Sequence, residues 1–197
     1  MTLKKGEWIL MIFTIAYILT YSIYYLSMGN YEFVFYIFVL VFFAILIMAT
    51  LKKSKLDYIA LWGLSLWGLL HMSGGGLIVA GDVLYRLEII HLFDIGDTYV
   101  LKFDQFVHAF GFAVTTLVAY QLLRFQLKDK ANYKLIYPLL FFIATGAGAL
   151  NEIVEFLAVV ILPQTGVGGY YNTLLDLVSN SAGSILALFF IHFYYRK

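Results

Sequence analysis

Apolar segments long enough to cross a membrane alternate with short charged segments along this chain. A membrane-spanning helix needs about 20 mostly apolar residues, and the charges at Glu7, Glu32, Lys52 and Asp57 separate the first segments at about that spacing. The pattern predicts six spans, at about residues 8–30, 33–51, 58–79, 103–123, 135–162 and 174–195.

Residues 82–102 interrupt the apolar pattern with charged and histidine side chains. We expect an extramembrane or interfacial loop here, with room for a short amphipathic helix. The predicted fold class is therefore all-α. We expect a polytopic membrane protein whose residues 1–197 form a single transmembrane domain, a six-helix bundle with an extracytoplasmic loop between spans three and four.

Composition supports this class of protein and excludes two others. The chain is 62% hydrophobic and 13% charged, whereas soluble domains are about 45–50% apolar and about 25% charged. Disordered chains are polar and highly charged, so disorder is excluded too. A net charge of +1 indicates no nucleic-acid partner, and the absence of cysteine excludes disulfides and thiolate chemistry.

The basic residues are distributed unevenly over the connections between the predicted spans. All 13 except Arg86 and Lys102 fall at the termini, between spans two and three, or between spans four and five. Cytoplasmic connections carry an excess of Lys and Arg. The distribution predicts a multi-pass protein of the cell membrane, surrounded by the lipid bilayer, with cytoplasmic N- and C-termini.

Ionisable and amide side chains lie inside the predicted spans, where they are costly and commonly functional. Residues three or four apart share a helix face, and the fourth, fifth and sixth spans each carry such a pair. In the predicted orientation, with a rise of about 1.5 Å per residue, they all fall in the outer half of the bilayer. They are His71, Asp104, His108, Glu152, Glu155, Asp176 and Asn180, and Asn151 directly precedes Glu152 in the fifth span.

Four of these side chains are carboxylic acids, and no Lys or Arg lies inside the predicted spans to neutralise them. Buried carboxylates must take up a proton, pair with a cation or bind a metal. Carboxylates combined with imidazole suit a divalent metal ion such as Zn, Mn, Fe or Mg. We expect a metal site formed by Asp104, His108, Glu152, Asp176 and Asn180, the last as a ligand or as a residue that orients one. Glu155 would then be the general base, and His71 a ligand or an acid.

Protonated carboxylates in a hydrogen-bonded network or a proton path are the alternative to a metal. Asp104 and Asp176 lie near predicted helix starts, where acids are favoured in any helix. A single histidine such as His71 is commonly a packing residue. The pair Glu152 and Glu155 has no such local explanation, because it lies deep within an apolar segment.

Three functions are compatible with this set of residues. The first is a metal-dependent hydrolase or transferase that acts on a lipid or lipid-linked substrate, with a metal-bound water as nucleophile. The second is a non-enzymatic carrier or channel for ions or protons that uses the same acids. The third is a structural or envelope-stress factor in which a metal only ties helices together.

Five segments together resemble a known family. They are residues 71–76 (HMSGGG), 82–85 (DVLY), 103–108 (FDQFVH), 151–155 (NEIVE) and 176–183 (DLVSNSAG). In this order they resemble the YjdF-like family of prokaryotic membrane proteins, over about residues 66–190. More distantly they are similar to VanZ-like proteins. That likeness implies a link to the cell envelope or to glycopeptide response, and no settled biochemical activity.

Overall fold

A computed structural model describes residues 3–96, 98–127 and 131–195 of the chain. The described residues form six long helices and two small antiparallel hairpins. The helices are α1 (Lys5–Met28), α2 (Tyr31–Ser54), α3 (Tyr58–Gly76), α4 (Phe103–Arg124), α5 (Tyr133–Ile161) and α6 (Tyr170–Phe190), and a π-helical turn (Ile191–Tyr195) extends α6.

Five of these helices are long and apolar enough to cross a membrane: α1, α2, α4, α5 and α6. The helix α3 is shorter, at 19 residues, and its C-terminal half contains His71 and three consecutive glycines. Large apolar side chains such as Ile23 and Phe38 point outward, with about 70% of their surface exposed. Such a surface suits lipid and not water, so the prediction of a mostly helical membrane protein is confirmed.

The helix ends follow from residues that satisfy free backbone groups. Asn30 and Asp57 precede α2 and α3, and their side-chain oxygens accept hydrogen bonds from the N–H groups of Phe33 and Ala60, at 3.1 and 3.0 Å. Gly29 ends α1 in the left-handed conformation, with a φ of 65°, which costs glycine little. Short polar connections therefore separate the first three helices.

The connection between α3 and α4 differs from the predicted loop, because it contains β-structure. Strand β1 (Ile78–Val79) pairs with β2 (Asp82–Val83), and β3 (Glu88–Ile95) pairs with β4 (Thr98–Lys102). A short 3-10 turn (Leu84–Arg86) lies between the hairpins. Residues 78–102 contain four Ile and three Val, which favour strands, and the glycines Gly81 and Gly96 adopt a positive φ at the turns.

Helix α4 is the centre of the bundle and packs against α3, α5 and α6. The closest approach is between α4 and α6, where a Cβ on Gly183 would lie 1.9 Å from the backbone oxygen of Ala109. Helices α1 and α2 pack at the periphery, against each other and against α3. The arrangement places α4, α5 and α6 around the polar residues.

The three glycines at the end of α3 let three aromatic rings contact the helix backbone. A Cβ at Gly74, Gly75 or Gly76 would meet Tyr85, Phe33 or Tyr25 respectively, at 2.2, 1.7 and 2.5 Å. All three rings belong to one apolar cluster at this end of the bundle. Glycine is therefore required here for close packing.

Replacing Gly75 by alanine should lower the stability of the protein. The new methyl group would clash with the Phe33 ring, which is buried and stacked on Tyr25 at 4.8 Å. Overpacking of this kind costs about 1–3 kcal/mol. The measurement is the thermal midpoint of the purified protein in detergent.

Gly146→Ala is the matched control, because among the described residues no atom beyond the neighbouring turns of its own helix backbone lies within 4 Å of a Cβ at that position. Alanine there should be neutral or slightly stabilising, since it has the higher helix propensity. Equal midpoints for the two variants would contradict the packing role of Gly75.

Candidate metal centre

The contact between α4 and α6 carries a row of polar side chains along its length. The row on α6 has a spacing of four residues, so its members share one helix face. Thr116 donates to Ser184 at 3.0 Å, and the His108 Nδ1 lies 3.0 Å from the Asn180 Oδ1. The row consists of Asn172, Asp176, Asn180 and Ser184 on α6, opposite Asp104, His108 and Thr116 on α4.

At one end of this row, a lysine joins the acids. The amide of Asn172 donates to Asp176 at 2.6 Å and to Asp104 at 3.4 Å. The Lys102 ammonium lies 3.4 Å from the Asp104 carboxylate and donates a hydrogen bond to the Asn172 side-chain oxygen. The predicted spans contain no Lys or Arg, but the fold brings in Lys102 from the end of β4 as a buried cation.

Helix α5 adds two further carboxylates around the same histidine. The Glu152 Oε1 lies 3.7 Å from the His108 Nδ1, and the Glu155 Oε1 lies 4.0 Å from the Nε2. The Asn151 amide donates to Glu155 at 3.0 Å. A Cβ on Gly148 would lie 2.6 Å from the Asn180 amide nitrogen, so this glycine allows α5 to approach α6.

His108 is thus at the centre of two overlapping groups of possible metal ligands. Asp104, His108 and Asp176 form one group, and His108, Glu152 and Glu155 form the other. Within each group the donor atoms lie within 4.8 Å of one another. Two donors that are each about 2.1 Å from a tetrahedral ion are roughly 3.4 Å apart, so small side-chain movements suffice to close either group around an ion.

Several polar atoms of this cluster are buried without a hydrogen-bond partner among the residues that the structure describes. Both carboxylate oxygens of Glu152, the Asp176 Oδ1 and the Asn180 Nδ2 are in this state. A buried polar group without a partner costs about 1–3 kcal/mol, and more when it is charged. These atoms would be stabilised either by protons on the acids or by a cation in the space that the acids surround.

His71 belongs to neither of the two ligand groups. The Tyr85 hydroxyl lies 2.5 Å from the His71 Nδ1 and donates to the His71 backbone oxygen at 2.9 Å. The ring also packs edge-on against Tyr36, at 5.5 Å between centroids. Burial, together with nearby carboxylates, raises the pKa of Tyr85 well above its usual range, so its hydroxyl keeps the proton that it donates.

The structure adds residues that the sequence did not single out: Lys102, Asn172, Tyr85 and Glu32. The spacing of four before Asp176 could have indicated Asn172. Glu32 was a boundary charge in the sequence, but it is buried, and it accepts the Gly166 N–H at 2.5 Å and the Tyr36 hydroxyl at 3.4 Å. It therefore fastens the α5–α6 connection to α2.

Comparison with known proteins gives one family. The model of a family described as "Predicted membrane protein (DUF2238)" matches residues 7–197. This is the family that the YjdF-like resemblance indicated, so that resemblance is confirmed. The more distant likeness to VanZ-like proteins stays a prediction. No curated protein and no solved structure matches the chain.

Replacing Lys102 by methionine should destabilise the protein at neutral pH. The variant would leave Asp104 and its neighbours without their buried cation, and breaking a buried ion pair on one side costs about 3–5 kcal/mol. Thermal midpoints of the purified proteins in detergent at neutral pH test this.

Lys53→Met removes the same charge from an exposed position in the last turn of α2. Its effect on the thermal midpoint should be small. If Lys102→Met cost no more than Lys53→Met, the ion pair would contribute nothing to the fold.

Proposed function

This chain belongs to the DUF2238 family of predicted membrane proteins, and we propose that its cluster of acids around His108 binds a divalent metal ion, Zn, Mn, Fe or Mg. The observation that carries the proposal is the burial, next to an imidazole, of carboxylate oxygens of Glu152 and Asp176 that accept no hydrogen bond within the described residues. A cation is the partner that satisfies these atoms together, because oxygen and imidazole donors suit such ions.

The orientation of His108 supports a division of roles between its two ring nitrogens. Its Nδ1–H is placed to donate to the Asn180 Oδ1, which leaves the Nε2 as the metal donor. Metal-bound histidines commonly donate their other N–H to a carbonyl or carboxylate in this way. We therefore assign Asn180 the role of orienting the ligand, the second of the two roles that the sequence left open.

The charges of the cluster also favour a cation. Four carboxylates surround His108, and Lys102 supplies a single positive charge among them. A divalent ion brings the total close to neutrality, and one remaining proton can be shared among the acids. Asp104, which lies 3.7 Å from the His108 Nε2, and Asp176 are the proposed carboxylate ligands on that side of the ring. Glu152 lies beside the Nδ1 and is the third proposed ligand, which a side-chain movement would have to bring to the ion. Glu155 is the acid left for proton transfer.

We propose that the protein is a metal-dependent hydrolase or transferase for a lipid or lipid-linked substrate. A bound metal supplies Lewis acidity and lowers the pKa of water. Glu155, which Asn151 holds by one carboxylate oxygen, would accept a proton from the nucleophile. His71, which Tyr85 contacts at its Nδ1, would supply a proton. The location among membrane-crossing helices favours a substrate that arrives through the bilayer.

An ion carrier or channel is the second candidate, and one observation favours it. The two ligand groups overlap at His108, so they offer two adjacent positions between which a cation could pass. A structural metal that only joins α4, α5 and α6 is the third. These alternatives use the same acids and differ in what happens to the ion.

We further propose that α3 is a sixth span, with both termini in the cytoplasm. Its 19 residues are close to the roughly 20 that a span requires. This orientation rests on the Lys and Arg distribution, to which Lys128, Lys130, Arg196 and Lys197, outside the described residues, also contribute. The ligand cluster then opens toward the outer leaflet.

Protein purified without chelators should contain stoichiometric divalent metal. His108→Ala and Asp176→Asn should each lose it, because each removes a donor from the cluster. The measurement is elemental analysis by mass spectrometry, together with the thermal midpoint before and after a chelator is added, since bound ligand stabilises the folded state.

His91→Ala is the matched control, because His91 also lies beside two carboxylates, Glu88 at 3.0 Å and Asp94 at 3.6 Å, but is exposed on the β3–β4 hairpin. It should keep the metal. Metal-free wild-type protein whose midpoint no divalent ion raises would overturn the proposal.

Glu155→Gln separates the three functions within the same preparations. An enzyme should retain the metal and lose turnover when extracted membrane lipids are assayed as substrates by mass spectrometry. A carrier should lose ion flux in liposomes. Bound metal with neither turnover nor flux, and an unchanged thermal midpoint in Glu155→Gln, would leave the structural role.

Cysteine labelling should confirm the proposed orientation. The natural chain contains no cysteine, so single substitutions at Asp94 and Lys134 need no altered background. In intact cells an impermeant thiol reagent should label position 94 and not position 134, and both should react after lysis. Labelling of position 134 alone would reverse the orientation.

A further inference from the structure

A polar cavity lies at the end of the bundle opposite the acid cluster. It has a volume of about 330 Å³ and lies between the start of α1 and the end of α2. Small-ligand sites commonly have volumes of roughly 300–1,000 Å³. Three lysines, one glutamate and three leucines line it, and the charged residues are Lys4, Glu7, Lys52 and Lys55.

Some charged side chains of this cavity have interaction partners and others have none. The Glu7 carboxylate accepts the backbone N–H of Lys4 at 2.7 Å, and the Lys55 ammonium lies over the Phe125 ring, 5.1 Å from its centroid. Within residues 3–96, 98–127 and 131–195, the ammonium groups of Lys4 and Lys52 have neither an ion pair nor a hydrogen bond. Two free cations therefore line one cavity.

The surroundings indicate the depth of the cavity in the membrane. Trp8 is one helical turn from Lys4 and is 48% exposed, and tryptophan is enriched where helices pass from hydrocarbon to headgroups. Beyond it, α1 and α2 present apolar surface outward, with only 11% and 17% of their most apolar stretches buried. Acyl chains can lie along this surface below the cavity.

We propose that this cavity binds the phosphate headgroup of an anionic phospholipid, held by Lys4 and Lys52. Basic pockets between membrane helices bind such headgroups, and the three lysines of the cavity outnumber Glu7, whose carboxylate is already engaged by the Lys4 backbone N–H. The leucines contact the glycerol region, and Lys55 adds to the positive field. This site is independent of the metal centre, because it lies at the other end of the bundle.

The test compares two double variants in nanodiscs of phosphatidylcholine with one fifth phosphatidylglycerol. Lys4→Gln/Lys52→Gln removes the two free cations of the cavity. Lys5→Gln/Lys53→Gln removes two charges next to them that do not line it. Native mass spectrometry counts the bound phosphatidylglycerol, and thermal midpoints during titration with a short-chain form give its affinity.

Wild type and the Lys5/Lys53 variant should retain one phosphatidylglycerol, and the Lys4/Lys52 variant should bind it about tenfold or more weakly. Each lysine near an anionic surface contributes a factor of about five. Equal losses in both variants, or equal retention of phosphatidylcholine, would overturn the site.

Inorganic phosphate is the second arm of the test. The lipid should raise the thermal midpoint at concentrations where phosphate alone has no effect. If phosphate alone stabilised wild type as strongly as the lipid does, the cavity would be a free-anion site and the lipid assignment would be wrong. Circular dichroism of both variants checks that these exposed substitutions leave the helices intact.

Discussion

The direct contact between α4 and α6 is the constraint on which the polar centre depends. Gly183 has no side chain, and even a methyl group there would lie 1.9 Å from the Ala109 backbone oxygen. Helices in lipid gain no hydrophobic energy from association, so close packing and interhelical hydrogen bonds hold them together. The bonds from His108 to Asn180 and from Thr116 to Ser184 exist because the two backbones touch.

Burying the acid cluster costs free energy, and contacts elsewhere in the bundle must offset that cost. Carboxylates are expensive away from water, and here the opposing groups are one imidazole, one ammonium and side-chain amides. The protein positions these groups from four elements at once: β4, α4, α5 and α6. Glu32 and Tyr85 act from outside the cluster, since one fastens the α5–α6 connection and the other fixes His71.

Much of the helical architecture and of the polar site was determined by the sequence alone. The lengths of the apolar segments gave the helices, because a span has a fixed minimum length. The spacings from Asp104 to His108 and from Asp176 to Asn180 placed each pair on one face, since periodicity is a local property of the helix. The spans contain several acids and no Lys or Arg, so the sequence already predicted that these acids bind protons or a cation. The family resemblance followed from the order of the motifs.

Only the tertiary structure decided which of these faces meet. Lys102 comes from the end of a strand that the sequence assigned to a loop, and its partner Asn172 is 70 residues away. The sequence predicted His71 at the same depth as the other polar residues, but in the fold it contacts Tyr85 and belongs to neither ligand group. Contacts of this kind depend on helix crossings and on where glycines allow backbones to touch, and periodicity along one helix carries no information about its neighbour.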